Sequence, residues 1–574
     1  MTGHLPQWAD GLPATLDTAL RRAAEPGGPF DPAVGARLDA REEFPGEACA
    51  VLDGCGIAHA YVPPELGGAQ GGLPELVASL RTVARRDVTV AVAHGKTYLG
   101  SVSAWVAGSY AQRRALARMV LDEHAVVSWG LTEPGRGSDL LAGQLTAVPT
   151  ATGGWRLDGA KWPINNATRG RLISVLARTS TEGGARGFSL FLVDKERLAA
   201  GSWRPLPKEP THGIRGADIS GIAFDSAEIP AEALIGGVGE GLEIVLRALQ
   251  LTRTVCTSLS LGAGEHALAL AHDFAERRAL YGTTLLQLPL ARRTLGRAAA
   301  SLALAEAAAL LAARSAHCLP GEMSVVSALV KAGVPDLVQQ TIDELAELLG
   351  ARGYLTEQHA DGMFQKLERD HRIVAIFDGS TAVNRSALIA QFPVLARRAR
   401  TGAHDAEGLA VLVGDGPVPP LDHGALRLMS RTGCSVVQGL PTAVDRLAHL
   451  AADGTVPRRA YEAATALAEE IATVADAMAA LPPASRDTPP QAFALARRYE
   501  RCFAGASAAH LLLTAPAGTP HAIRLTAALE RSLELLRPGH EAPQDAYEEL
   551  LSLPTVPDDP VGPNEANSAK ELIA

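Results

Sequence analysis

The stretch "GWRLDGAKWPINNATRG", residues 154–170, interrupts an otherwise helical chain. Its first part reads as strand, with Asp158-Gly159 as a hairpin turn signal, and further short strand candidates follow: "LISVLAR" (172–178), "GFSLFLV" (187–193) and "ISGIAF" (219–224). These predict a small antiparallel β module over 125–236. On both sides the chain reads as helix. Residues 1–124 form an N-terminal helical domain broken by turns such as "VPPELGGAQGG", where Pro63, Pro64, Gly67 and Gly68 stop one helix before the next. Beyond "IPAEALIGGVGEG" the helical period returns, with Ala267, Leu270, Ala271 and Phe274 on one face and Ile342, Leu345 and Leu349 on another. Pro335 is expected to kink or divide the second of these helices.

The expected layout is therefore mainly α with a central β domain: helices, a β module, then a long-helix bundle over 237–398. The Gly/Pro-rich "GDGPVPPLDHG" marks a boundary, and an additional helical domain at 399–553 carries the apolar stripe Leu467, Ile471, Val474 and Met478. Residues 554–574 have the composition of a flexible tail. Of the 574 residues, 47% are hydrophobic and 20% charged, which excludes a disordered chain, and the net charge of −10 argues against a broad nucleic-acid footprint. The N-terminus lacks a basic segment followed by an apolar run, and no membrane-spanning run stands out, so a cytoplasmic address is expected. Six scattered cysteines without CxxC pairs predict neither a disulfide framework nor a metal site.

Four segments can carry chemistry. "SWGLTEPGRGSDL" (128–140) leaves the helical region through Pro134, Gly135 and Gly137, flanked by the hydroxyls of Thr132 and Ser138; it reads as a binding loop or a polar turn. In "DGAKWPINNATRG" the carboxamides of Asn165 and Asn166 suit a heteroaromatic edge, and equally suit Asx-turns at a strand end. "HDFAERRALYG" (272–282) ends a helix with Arg277 and Arg278, which complement the helix dipole or bind a phosphate. "AIFDGSTAVNR" (375–385) sets Asp378 before a Gly-Ser-Thr turn, where Asp378, Ser380 or Thr381 can cap the next helix and Asp378 can alternatively serve as a base.

In order and spacing these segments resemble the acyl-CoA dehydrogenase family of flavoproteins. "VPPELGG", "GIRGADISGIAFDSAEIPAEALIG", "LGARGYL" and "RDHRIVAIFDGSTAVNR" extend the resemblance over roughly residues 30–395. The resemblance implies an N-terminal helical domain, a β domain and a four-helix bundle, with FAD between the last two. It implies that Trp129, Leu131, Thr132, Ser138, Pro163, Asn165 and Ser380 line the flavin. Arg278, Tyr281, Gly350 and Ala351 then hold pyrophosphate and adenosine, partly of an FAD bound by a neighbouring subunit. Ser138, Arg253, Phe377 and Gly379 contact substrate, and Asp378 takes the place of the catalytic glutamate, in "FDG" for the usual "YEG". The implied reaction removes the α-proton of an acyl thioester while the β-hydrogen leaves as hydride to the flavin. The thioester carbonyl is held by the flavin ribityl hydroxyl and a backbone N–H beside the base.

Departures from the family pattern matter. Pro163 replaces a flavin-packing Trp, Pro289 and Glu347 stand where glutamines are usual, and Gln250 replaces the Asp partner of Arg253, which puts recognition of coenzyme A's adenine part in doubt. The acyl group is accordingly expected on coenzyme A or on a carrier-protein arm, with an unidentified electron acceptor. Arg136 meets a phosphate or is a solvated loop charge. Asp378, one C–C bond (about 1.5 Å) shorter than Glu, also fits a flavin oxidase or monooxygenase resembling the nitroalkane-oxidising branch, and the accumulated departures leave a non-catalytic scaffold as a third reading. The extra helical domain is expected either to cover the surface that pairs dimers into tetramers, giving a homodimer, or to bind a membrane or partner.

Overall fold

The computed structural model describes residues 11–484 and 487–553. The tail expected at 554–574 and the first ten residues lie outside the described residues. Six helices come first: α1 (Leu12–Ala23), α2 (Pro32–Arg41), α3 (Gly46–Gly54), α4 (Gly72–Ala84), α5 (Val88–Ala107) and α6 (Tyr110–Asp122). Side chains close their exposed ends: Asp31 caps α2, Asp87 caps α5, and Ser109 with Gln112 forms a capping box on α6.

The strands are β1 (Val127–Gly130), β2 (Thr146–Pro149), β3 (Trp155–Asn165), β4 (Leu172–Arg178), β5 (Phe188–Asp194), β6 (Trp203–Leu206), β7 (Ile219–Ile229) and β8 (Leu234–Ile235). They form one sheet in the order β6-β7-β3-β2-β4-β5-β8, with β1 beside β4. Two expectations are corrected here. The sheet is mixed, because β4 pairs parallel with β1 and with one residue of β2. Asp158-Gly159 is no hairpin turn: β3 runs straight through it, and the turn lies earlier, where the Thr150 N–H donates to the Gly154 carbonyl and the Gly154 N–H to the Thr150 hydroxyl. Gly159 instead marks a register shift against β7, with φ +128°, and a Cβ there would sit 2.9 Å from Leu145 Cα. Asp158 accepts from the Ser226 N–H across that bulge at 2.7 Å. An Asp-Gly pair thus served a bulge, for which local sequence offers the same residues as for a turn.

Next come α7 (Gly241–Val255), α8 (Thr257–Arg277), the small hairpin β9 (Ala279–Leu280) and β10 (Thr283–Thr284), α9 (Pro289–Cys318), α10 (Met323–Leu349), α11 (Ala351–Tyr354), α12 (Met363–His371), α13 (Thr381–Ile389) and α14 (Phe392–Thr401). Helices α8, α9 and α10 pack on one another, α13 packs on α10, and α7 lies against α5 and α10. Helix α10 is not divided: it continues through Pro335 to Leu349. Packing against α7, α8, α9 and α13 compensates the one backbone bond the proline removes. Two buried charge clusters lock the domains together. Arg81 of α4 reaches Glu265 of α8 and, at 2.8 Å, Glu306 of α9. Lys366 of α12 joins Asp87 (3.0 Å) and Asp370 (2.7 Å), and Asp370 accepts from the Ile214 N–H after β6.

The boundary expected at 398 falls inside α14, which ends at Gly402 in the left-handed conformation. The remaining helices are α15 (Ala406–Val413), α16 (Ser435–Gln438), α17 (Leu440–Ala452), α18 (Arg458–Ala480), α19 (Pro490–Leu512), α20 (Pro520–Leu536) and α21 (Gln544–Leu551). Helices α19, α20 and α21 lie on α9, and α19 also touches α10 and α13. Arg385 of α13 forks onto Glu500 of α19 at 2.8 Å through two nitrogens. By length and composition α9 could cross a membrane, which the sequence reading passed over, yet 89% of its apolar window is buried inside the protein. It is a core helix whose Ala-rich outer face is covered by the extension.

Candidate active site

The chain turns sharply after α12, and Asp378 and Gly379 both adopt positive φ, +53° and +91°. Glycine does this freely and Asp at moderate cost, so the turn needs outside support. Three side chains provide it. Arg253 of α7 donates from Nε to the Asp378 carbonyl (3.2 Å), Lys331 of α10 donates to the carbonyls of Val374 (2.7 Å) and Gly379 (3.2 Å), and Asn384 donates to Gly379 (2.8 Å) and Ser380 (3.0 Å). Gly379 is also required sterically, since a Cβ would lie 3.1 Å from the Arg253 guanidinium. Ser380, not Asp378, caps α13, its hydroxyl accepting from the Val383 N–H. The Asp378 carboxylate is thereby left for other work, with the Cys256 thiol 3.9 Å from Oδ2. Among the described residues the backbone N–H of Asp378 donates to no carbonyl. Phe377 lies under the Lys331 ammonium, 5.4 Å from its ring centre.

A second group gathers at the strand ends. Among the described residues the buried Trp129 of β1 finds no acceptor for its indole N–H; Asn165 at the end of β3 donates to the Val92 carbonyl of α5 (3.1 Å), while its buried Oδ1 meets no donor there. Thr132 donates to the Pro163 carbonyl at 3.1 Å, beside Leu131. The loop between them is anchored by Glu133, which accepts from Lys161 (2.7 Å) and from the N–H groups of Gln144 and Leu145. Burial opposes the charge on Glu133, and Lys161 with these donors outweighs it, lowering the carboxyl pKa. Ser138 and Arg136 lie on the exposed tip of that loop. Trp162 turns outward, its indole donating to Glu209 (3.0 Å), so it does not replace the ring lost at Pro163, which is exposed.

Lys96 of α5 lies between the two groups: its ammonium is 5.8 Å from the Trp129 ring centre, and burial lowers its pKa while the Asp378 carboxylate opposes that shift. Sequence reading missed Lys96, Lys331, Cys256 and Asn384. A signal existed in lysine usage, since the chain has only seven lysines among its 53 basic Lys and Arg residues, and four of them are buried in hydrogen-bonded positions where an arginine fork would not fit.

Arg278, Tyr281, Gly350 and Ala351 form a separate corner where α8 ends and α10 turns into α11; Arg352 there reaches over Phe274 of α8. Tyr281 is 93% exposed. Among the described residues no hydrogen bond between Arg278, Tyr281, Gly350 or Ala351 and Asp378 joins this corner to the Asp378 turn. Arg253 does meet Asp378 and Gly379, whereas Gln250 donates to the Arg427 carbonyl (2.8 Å) in the loop between α15 and α16. The extension thus reaches the turn of α7 that also carries Arg253.

Family models described as "Acyl-CoA dehydrogenase, middle domain" and "Acyl-CoA dehydrogenase, C-terminal domain" match residues 128–227 and 239–392. The short-chain specific acyl-CoA dehydrogenase of human mitochondria is 30% identical over 363 residues, covering 61% of this chain and 84% of that protein. The chain belongs to the acyl-CoA dehydrogenase family. Its fold agrees with that of butyryl-CoA dehydrogenase from Megasphaera elsdenii, at TM-score 0.60 and 24% identity over 66% of this chain and 97% of that one. An acyl-CoA dehydrogenase from Bacillus anthracis, solved in complex with FAD, matches at TM-score 0.64 and 19% identity over 95% of this chain and 90% of the other, so its fold accounts for the extension as well. As an acyl-CoA dehydrogenase family member the chain is an oxidoreductase.

Proposed function

We propose that this protein is an FAD-dependent dehydrogenase that introduces an α,β double bond into an acyl thioester. The observation that carries the proposal is the Asp378 carboxylate, presented on a turn held by Arg253, Lys331 and Asn384, on the side facing Lys96 and Trp129. The residues fit a flavin: the buried Trp129 N–H lacks an acceptor and Asn165 Oδ1 lacks a donor, and an isoalloxazine edge offers both. Trp129, Leu131, Thr132, Pro163, Asn165 and Ser380 would hold the ring and ribityl parts, with Ser138 closing from the loop. Arg278, Tyr281, Gly350 and Ala351 are exposed or half-exposed in one protomer, which supports a homodimer in which they meet the adenosine end of a partner's cofactor.

Bound FAD supplies the hydride acceptor. Asp378 takes the α-proton onto its carboxylate, and its own backbone N–H donates to the thioester carbonyl, stabilising the enolate that develops. Arg253, Lys331 and Asn384 position that turn. Phe377 and Gly379 line the thioester. Because Gln250 is engaged by the extension, the acyl arm is proposed to arrive on a carrier protein as readily as on coenzyme A, with exposed Arg427, Leu428, Met429 and Arg431 beside its path. We further propose a separate protein as electron acceptor and a cytoplasmic address. Incubation with FAD, removal of excess and anaerobic addition of acyl thioesters tests the proposal: bleaching of the yellow flavin with a 2-enoyl product supports it, and protein that stays colourless contradicts it.

A second reading has one observation in its favour. Pro163 leaves the flavin side exposed where a Trp would cover it, and Trp162 is held away by Glu209. Oxygen access there suits an oxidase acting on an acidic carbon such as a nitroalkane. Air reoxidation of substrate-reduced protein within seconds would favour it.

A further inference from the structure

Resting on the thioester reading above, we propose that Lys96 recognises an anionic group on the acyl chain, so that the preferred substrates are thioesters of short acyl groups carrying a second carboxylate.

Helix α5 contains only two basic and no acidic side chains in its 20 residues. His94 is occupied on one face, receiving or giving hydrogen bonds to Tyr61 (2.8 Å) and Asp53 (3.0 Å). Lys96 points to another. It lies one turn after Val92, whose carbonyl binds Asn165, and its ammonium stands over Trp129. It therefore faces the space between the strand ends and the Asp378 turn. Part of its surface is accessible, yet the surrounding protein desolvates it enough to lower its pKa, the combination expected of a residue lining an internal cleft.

What distinguishes Lys96 is the lack of an acceptor. Lys161 is paired with Glu133 (2.7 Å), Lys195 donates to the Ala167 carbonyl (2.7 Å), Lys331 to Val374 (2.7 Å) and Lys366 to Asp370 (2.7 Å). No hydrogen bond or ion pair joins the Lys96 ammonium to any described residue, and Asp378, the nearest carboxylate acting on it, lies beyond ion-pair distance. Water reaches the half-buried ammonium in the free protein, and an acyl chain that displaces this water leaves it without an acceptor unless the ligand supplies one. Charge balance points the same way: Lys96, Arg253 and Lys331 face one carboxylate, Asp378, and the other two cations are already engaged with carbonyls of the turn. An acyl chain placed with its α-carbon against Asp378 and its β-carbon toward the Trp129 side extends toward Lys96, past the small Cys256 side chain. A neutral chain would leave the ammonium buried against methylenes; a terminal carboxylate would neutralise it.

The test uses full-length, FAD-loaded protein and pantetheine thioesters, which carry the arm common to coenzyme A and carrier proteins. Half-thioesters of succinate and glutarate are compared with thioesters of butyrate and valerate, of equal length. Affinity is read by calorimetry in the Asp378→Asn protein, which should bind without turnover, and bleaching is read in the protein with Asp378 intact. The expected result is binding of at least one half-thioester about tenfold or more tighter than its neutral counterpart. Lys96→Met, with Lys96→Gln as a second neutral variant, should abolish that preference without weakening the neutral thioester, and Lys96→Arg should keep it. Equal or tighter binding of the neutral thioesters, or equal loss for both classes in Lys96→Met, overturns the assignment. Bleaching by neutral thioesters alone sinks this inference and keeps the dehydrogenase reading; bleaching by none sinks both.

Discussion

Replacing Asp378 by Glu asks whether the short base is an adaptation. The substitution moves the carboxylate about 1.5 Å further from the backbone. Asp378 cannot retreat to absorb that length, because its carbonyl is held by Arg253 and the next carbonyl by Lys331 and Asn384. On one side Cys256 Sγ is already 3.9 Å from Oδ2, so an added methylene drives the carboxylate either against the thiol or into the space of the substrate α-carbon. Misplacement of about 1 Å costs on the order of a hundredfold in rate, about 2.7 kcal/mol of transition-state stabilisation. We therefore expect Asp378→Glu to lower kcat/KM about a hundredfold, with flavin content unchanged, and Asp378→Glu combined with Cys256→Ala to recover part of the loss. Stopped-flow bleaching under argon measures both. Activity equal to or above that of the unsubstituted protein would instead show a site built for Glu that has lost it.

Three further outcomes follow from the geometry. Lys331→Met leaves the buried carbonyls of Val374 and Gly379 without their donor, so unfolding stability should fall by about 3 kcal/mol and bleaching should slow; an unchanged urea midpoint would contradict this. Burial holds His371 and His510 neutral, with pKa values down to about 3 and about 4 against an ordinary 6.5. The unfolded chain therefore takes up protons first, stability is complete above pH 6.5, and each histidine should remove about 2 kcal/mol by pH 5, read as falling urea midpoints between pH 7.5 and 5. Ending the chain at Gly402 uncovers the Ala-rich face of α9, so light scattering should find a homodimer for the full chain and larger assemblies or aggregate for the shortened one; a well-behaved dimer after truncation would show that the extension does not guard that face.

Strands β4, β5 and β7 were legible because continuous apolar runs are bounded by Gly and polar residues, and the helical stretches because their apolar positions repeat with the helical period. The Asp158-Gly159 pair misled because turn and bulge both ask for the same backbone freedom, and only the position of β7 across the sheet decides between them. Parallel pairing of β1 with β4 leaves no local trace, as it depends on a connection more than 40 residues long. At the site, the motif around Asp378 marked the turn, and of its three candidate caps the structure uses Ser380 for α13, which leaves the Asp378 carboxylate uncommitted. Lys96 stayed hidden for a physical reason: a lone lysine in an apolar helix reads as a side chain that reaches out to water, and its direction is set by strand ends 30 to 70 residues away.

We propose Asp378 as the base of a flavin-dependent thioester dehydrogenase. Anaerobic mixing of FAD-loaded protein with its bleaching thioester, side by side with the Asp378→Asn variant, tests it most directly. Our account predicts rapid loss of flavin absorbance in the first and, in the variant, retained thioester binding with bleaching slowed by about a thousandfold or more. Bleaching at the same rate in both would contradict it.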